Sequence, residues 1–323
     1  MALTERFRGF TVASALTTRA TSDPQRDFLL HGDAVLTYGQ VESQSEALAA
    51  ALAHLGVEAG DRVALVLPAC PEFVISMLAA AKLGAVIVPL NPRLPTAELQ
   101  YMLRHSEAVC AVTVEHAYGV DYLQLFEEML VQLPELQYLV TVGEEDLWYD
   151  VRIFQFSDLL SAGGGRDFGD LETGSPERLF AIVYTSGTTG KPKGVELSHS
   201  NLISVAAGTA DALELSSEDR VIGVAALFHV FGLGPGVLST LLAGASIVLQ
   251  DEPDPNATLE LIEKHRATVH YGVPTIFVGE LQEVEREPRD VSSLRIAMVA
   301  GAPVGDSLMR RIRERICPLA VVA

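Results

Sequence analysis

The chain has 323 residues, 49% of them apolar and 20% charged, with a formal charge of −19 at pH 7. That composition describes a folded globular protein with enough core for about two domains or subdomains, and it excludes a disordered chain. The acidic balance argues against nucleic acid and against an anionic membrane surface, since both are bound by clustered Lys and Arg.

Cys70, Cys110 and Cys317 lie far apart and form no C-x-x-C pair. The pattern fits free thiols in a reducing, cytoplasmic compartment, with no disulfide framework and no thiolate metal site. The first thirty residues carry Arg6, Arg8, Arg19 and Arg26 among Ser and Thr, a faint transit-peptide character without an apolar core. They read as an ordinary first helix around "TVASALTTRA".

From there the chain alternates between short apolar runs and helix-like segments. The runs at 62–68, 84–90, 108–114, 136–142, 179–185, 220–228, 245–250, 267–274 and 294–303 are continuously apolar, which suits strands buried on both faces of a parallel sheet. Between them, "SQSEALAAALAHLG" and "EFVISMLAAAKLG" end at Gly56 and Gly84, both predicted C-terminal caps. "PTAELQYMLRHS", "TLELIEKHRA" and "VGDSLMRRIRERI" complete the helical set. The expectation is an α/β fold of layered, mostly parallel sheets with helices on both faces. The glycine-rich stretch 161–177 places a boundary between subdomains 1–170 and 171–323. Residues 221–250 contain no Asp, Glu, Lys or Arg and could span a bilayer by length alone. Six glycines and prolines across 223–244 favour strand, loop, buried helix and strand instead.

The segment "YTSGTTGKPKG" (184–194) is the densest chemical signal. A Walker A loop needs G-x-x-x-x-G-K-[ST] opening into a helix, whereas Gly187 and Gly190 are two residues apart and Pro192 follows Lys191. A strand-like "VEL" comes next, and only then a helix with Ser198 as its predicted N-cap. The loop still has the means to hold phosphate: close backbone approach at glycine, the hydroxyls of Thr185, Ser186, Thr188 and Thr189, and Lys193 behind a rigid proline. Salt screens the long-range repulsion of an acidic surface, so a local nest of donors can prevail.

"YTSGTTGKPKGVELSHSNL" resembles the phosphate loop of the AMP-forming adenylate ligases, the family of acyl-CoA synthetases and related enzymes. The resemblance extends through "LTYGQVESQSEALAAALAHLGVEAGDRVALVLP", "GAVIVPLNPRLPTAELQYMLRHSEA", "ALFHVFGL", "YGVPTIF" and "AMVAGAPVGDSL". It implies ATP-dependent conversion of a carboxylic acid, expected to be a fatty acid, to an acyl-adenylate, followed by transfer to coenzyme A. It also implies that Thr185, Ser186, Gly187, Thr188, Thr189, Gly190 and Lys193 hold the β- and γ-phosphates, with Lys193 catalytic. Lys191 occupies a position that varies in the family and reads as a solvated surface lysine. By the same resemblance His229 lies beside the substrate carboxylate, Phe231 and Gly232 shape the acyl pocket, and adenine lies on the turn Gly301, Ala302 and Pro303. Magnesium is implied as well, its ligands unassigned.

In the family a Tyr-Gly-x-Thr-Glu turn, a ribose-gripping Thr-Gly-Asp and a small C-terminal domain follow the segment that ends here at "CPLAVVA". The sequence therefore reads as an incomplete large domain, with apolar surface left uncovered. Two readings stay open. One is part of an acyl-CoA synthetase, a homo-oligomer being compatible with the complete enzyme. The other is a catalytically silent nucleotide- or acyl-binding module.

Overall fold

The computed structural model describes residues 1–145, 151–165, 174–186, 190–223 and 226–323. Two seven-stranded sheets organise the chain. The first runs, edge to edge, Lys193–Ser198, Leu179–Thr185, Val86–Pro89, Arg62–Val66, Ala108–Val114, Tyr138–Val142 and Ile153–Gln155. The second runs Ala320–Val322, Ile296–Val299, Val269–Gly272, Arg220–Ile222, Ser246–Val248, Asp27–His31 and Ala34–Thr37. Each sheet is parallel except for one antiparallel edge strand, Lys193–Ser198 in the first and Ala34–Thr37 in the second. The layered, mostly parallel α/β architecture expected from the sequence is present.

The strands form where the continuous apolar runs are, because their residues must be dry on both sides. Val86–Pro89, Val269–Gly272 and Ile296–Val299 are buried throughout. Helices Val12–Ser22, Tyr38–Leu55, Pro71–Leu83, His199–Ala212 and Ser239–Ala243 share one apolar cluster with both sheets. Helices Pro255–His265, Pro274–Arg286 and Asp306–Arg315 build a second cluster on the second sheet. Gly56 and Gly84 cap their helices in the left-handed region, at φ 103° and 73°, as their position after the last helical turn predicts. Ser198 accepts from the Asn201 amide, closing a capping box.

Neither sheet divides at residue 170. The first takes two strands from beyond it, and the second takes the hairpin Asp27–His31/Ala34–Thr37 from the N-terminal segment. The cause is pairing: Leu29 and Leu30 lie in parallel register with Ile247 and Val248. Residues 166–173 of the expected boundary lie outside the described residues. The uncharged stretch 221–250 resolves into strand, π-helix Gly232–Leu238, helix Ser239–Ala243 and strand Ser246–Val248, with 224–225 outside the description. Among the described residues no helix is long and apolar enough to cross a membrane. All three cysteines are free and buried, and burial raises the Cys110 thiol to about 12.

Candidate active site

The phosphate-type loop is the connection of an antiparallel hairpin at the edge of the first sheet. Thr185 ends one strand, Lys193 begins the next, and the two residues are register partners. Both are exposed, as are Ser186 and Gly190, the latter with φ 95°. Gly187, Thr188 and Thr189 lie outside the described residues. The base of the hairpin is anchored by Tyr184, whose hydroxyl donates to Met102 O at 3.2 Å and lies 2.7 Å from His105 Nδ1. Burial pushes that phenol up to about 12. Lys191 Nζ stands 5.6 Å from the Tyr101 ring centroid, a cation–π contact with the same helix, Thr96–His105. It is exposed, as expected of a surface lysine, and stands over that ring.

The second feature is a cleft of about 210 Å³ whose walls include Gly223, Phe228, Phe231, Gly232, Val273 and Ile276. Its position follows from topology. Strand Arg220–Ile222 leads to Ser246–Val248 on one side, and the next strand, Val269–Gly272, returns on the other. The strand order reverses there, and the two connections diverge from the carboxyl ends to leave a crevice. Gly223 follows the first strand with φ 92°, and a Cβ there would sit 2.1 Å from Tyr271 O. Only glycine fits such a turn.

Phe231 and Gly232, expected in the substrate pocket, are on the cleft wall. A Cβ at Gly232 would meet Ala226 O at 2.2 Å, so the turn closes only without a side chain. The π-helix that begins at Gly232 accommodates Pro235, whose missing amide would break a tighter helix. His229 is on the same turn, exposed, with its Nδ1 accepting from Phe231 N at 3.2 Å. Gly301, Ala302 and Pro303 follow strand Ile296–Val299, also at a carboxyl end, and all three are exposed. Gly301 takes φ 88°, and a Cβ there would touch Val273 Cγ1 at 3.1 Å. That turn therefore stands beside the cleft wall.

Arg93 lines the cleft too, and the sequence reading missed it. It follows strand Val86–Pro89 of the first sheet, the parallel neighbour of Leu179–Thr185. The loop hairpin and Arg93 thus leave adjacent strands in the same direction, and Arg93, from the first sheet, is part of the lining of a cleft built on the second. Its Cζ lies 4.7 Å from the Tyr118 ring centroid. The available signal was "NPR" directly after a buried strand. Among the described residues no group of three or more His, Cys, Asp or Glu is arranged to hold a metal ion.

A profile described as AMP-binding enzyme matches residues 16–323. The chain is 34% identical over 302 residues to a feruloyl-CoA synthase of Amycolatopsis sp, covering 92% of this chain and 55% of that protein. It is 34% identical over 290 residues to 4-coumarate-CoA ligase 1 of Narcissus pseudonarcissus, covering 87% of this chain and 50% of that one. Among solved structures, the anthranilate CoA ligase AuaEII in complex with anthranoyl-AMP superposes with a TM-score of 0.89 at 26% identity, covering 98% of this chain and 60% of the ligase. The chain spans between half and three fifths of the length of these relatives. With the expected sheets, the loop hairpin and a profile match from residue 16 to 323, the chain belongs to the AMP-binding enzyme family.

Proposed function

We propose that this chain supplies the phosphate loop and the acyl and adenine cleft of an acid–thiol ligase. In that reaction a carboxylate oxygen attacks the α-phosphorus of ATP and the bond to pyrophosphate breaks. The thiolate of coenzyme A then attacks the acyl carbon and AMP leaves. The observation that carries the reading is the cleft at the strand reversal, mostly apolar on its walls, with Arg93 in its lining and a hairpin leaving the strand next to the one before Arg93. Thr185 to Gly190 and Lys193 bind the departing β- and γ-phosphates, where negative charge builds as the bond breaks. Adenine rests on Gly301, Ala302 and Pro303. His229 and Arg93 orient the substrate carboxylate, and Phe231 and Gly232 bound its apolar body. Among the described residues no group of three or more His, Cys, Asp or Glu is gathered to hold magnesium.

The substrate we propose is a carboxylic acid with a compact apolar body. Phe228, Phe231 and Ile276 suit an aromatic ring or a short acyl chain, and a cleft of about 210 Å³ favours the small aromatic acid over a long fatty acid. The aromatic substrates in the names of the relatives lean the same way. The test is acid-dependent pyrophosphate release from ATP by an enzyme of the relatives' full length that carries these 323 residues, with magnesium, across aromatic and fatty acids. The expected result is release that requires an acid and falls by about a hundredfold or more in Lys193→Ala. Release without an acid, or release indifferent to Lys193, would sink the assignment.

A further inference from the structure

Behind the cleft wall lies a polar pair that the reaction above does not use. His270, on strand Val269–Gly272, and Glu280, on helix Pro274–Arg286, are both fully buried. His270 Nε2 lies 2.8 Å and 3.0 Å from the two Glu280 carboxylate oxygens. His270 Nδ1 lies 3.4 Å from Ile222 O. Both neighbours of the ring are therefore acceptors. A neutral imidazole carries one N–H, and its other nitrogen would point a lone pair at a carboxylate or a carbonyl. An imidazolium donates at both edges and leaves no buried acceptor unmet. Burial by itself lowers the pKa of His270, but the Glu280 carboxylate outweighs it and the net direction is upward.

The orientation of the pair gives it a purpose. The Nδ1 edge faces the turn on which the cleft is built: a Cβ at Gly223 would lie 2.5 Å from Nδ1 and 2.6 Å from Cε1. The Nε2 edge faces the carboxylate. The cationic member thus stands directly behind Gly223, a cleft wall, and the anionic member lies across the ring from it. A buried ion pair contributes little net stability as a rule, because desolvation offsets attraction. A fixed dipole in a low-dielectric wall does act on charge in the adjoining cleft.

We propose that His270 and Glu280 are positioning residues that form a preorganised dipole. Its imidazolium end, behind the Gly223 turn, favours the anionic part of a ligand in the cleft. This rests on the cleft being the adenylate site. Its new content is that a pair touching no ligand tunes affinity for charge. The fitting ligand class is a nucleoside monophosphate or a carboxylate, in preference to its uncharged counterpart.

The experiment is calorimetric binding of AMP and of adenosine to the wild-type chain and to two double variants, His270→Leu/Glu280→Met and His270→Gln/Glu280→Gln. Each removes both charges together, so no unpaired buried charge remains. The expected result is AMP binding weakened about three- to tenfold with adenosine unchanged, the size of a charge effect at partial screening. Equal weakening of both ligands would assign the pair to packing alone and overturn the proposal, as would no change in either. No AMP binding by the wild type would overturn the adenylate site itself and this inference with it. Should neither variant fold, the ring nitrogens of His270 in the wild type decide by 15N chemical shift at pH 7: two protonated nitrogens support the dipole, and a neutral ring overturns it.

Discussion

His199 shows how a residue can sit inside the family motif and serve structure. It begins the helix after the loop hairpin, stacks on Phe180 with ring centroids 4.6 Å apart, and accepts from Val12 N at Nδ1 over 3.2 Å. Accepting requires a neutral ring, and burial lowers its pKa from 6.5 to about 4. The unfolded chain therefore binds a proton between those values that the folded chain refuses. The stabilisation is complete above pH 6.5 and is lost as the pH falls from 6.5 through 4, to a total of about 3 kcal/mol. His199→Phe keeps the stacking and removes the titration. Chemical denaturation of both proteins from pH 7 to pH 4 should show the wild type losing stability faster, with the gap opening below pH 6.5. Parallel curves would contradict this account of the residue. Lys193 and Arg93 differ in kind: each is placed toward solvent or the cleft, and what is expected of them is binding.

At the scale of elements, the hairpin Leu179–Thr185/Lys193–Ser198 is anchored from outside its own strands. Tyr184 joins it to helix Thr96–His105 through Met102 O and His105 Nδ1. Tyr184→Phe removes both hydrogen bonds and should cost about 1 kcal/mol of stability. Because a loosened loop must be ordered again on binding, the variant should also raise the KM for ATP more than the KM for the acid. Equal changes in the two constants would show that the tyrosine only supports the sheet. The helices and strands were largely legible in the sequence because burial on both faces imposes continuous apolar runs and glycine marks the helix ends. The predicted strands at 220–228, 267–274 and 294–303 overran the observed Arg220–Ile222, Val269–Gly272 and Ile296–Val299. Their surplus residues, among them Ala226, Phe228, Val273 and the turn at Gly301, form the cleft wall and its rim. Hydrophobicity alone does not distinguish a buried strand from an apolar binding wall. The hairpin at 27–37 was missed because its edge strand Ala34–Thr37 is half exposed and short, which leaves little pattern to read.

For the whole molecule, the informative result is that the sheets interleave along the chain. A boundary near residue 170 follows composition, but parallel register with Ser246–Val248 takes the N-terminal hairpin into the second sheet. Long-range pairing of this kind leaves no local trace in a single sequence. The same holds for the meeting of Arg93 with the cleft, since it depends on strand order. At the opposite end of the second sheet, Asp219 takes two hydrogen bonds from Arg295 at 2.7 Å and 2.8 Å and one from Thr268 at 2.8 Å, tying three interior strands at their amino ends. The sheet is clamped at the end away from the cleft, which leaves the carboxyl-end turns to shape the site.

The central proposal is that an acyl-adenylate lies in the crevice at the strand reversal of the second sheet. The most direct measurement is a crystal structure of this chain with a non-hydrolysable acyl-adenylate analogue carrying an aromatic acyl group. Adenine is expected against Gly301, Ala302 and Pro303, the acyl ring between Phe231 and Ile276, and the charged linkage toward Arg93 and His229. Analogue bound at any other surface, or a cleft left empty at saturating ligand, would contradict it.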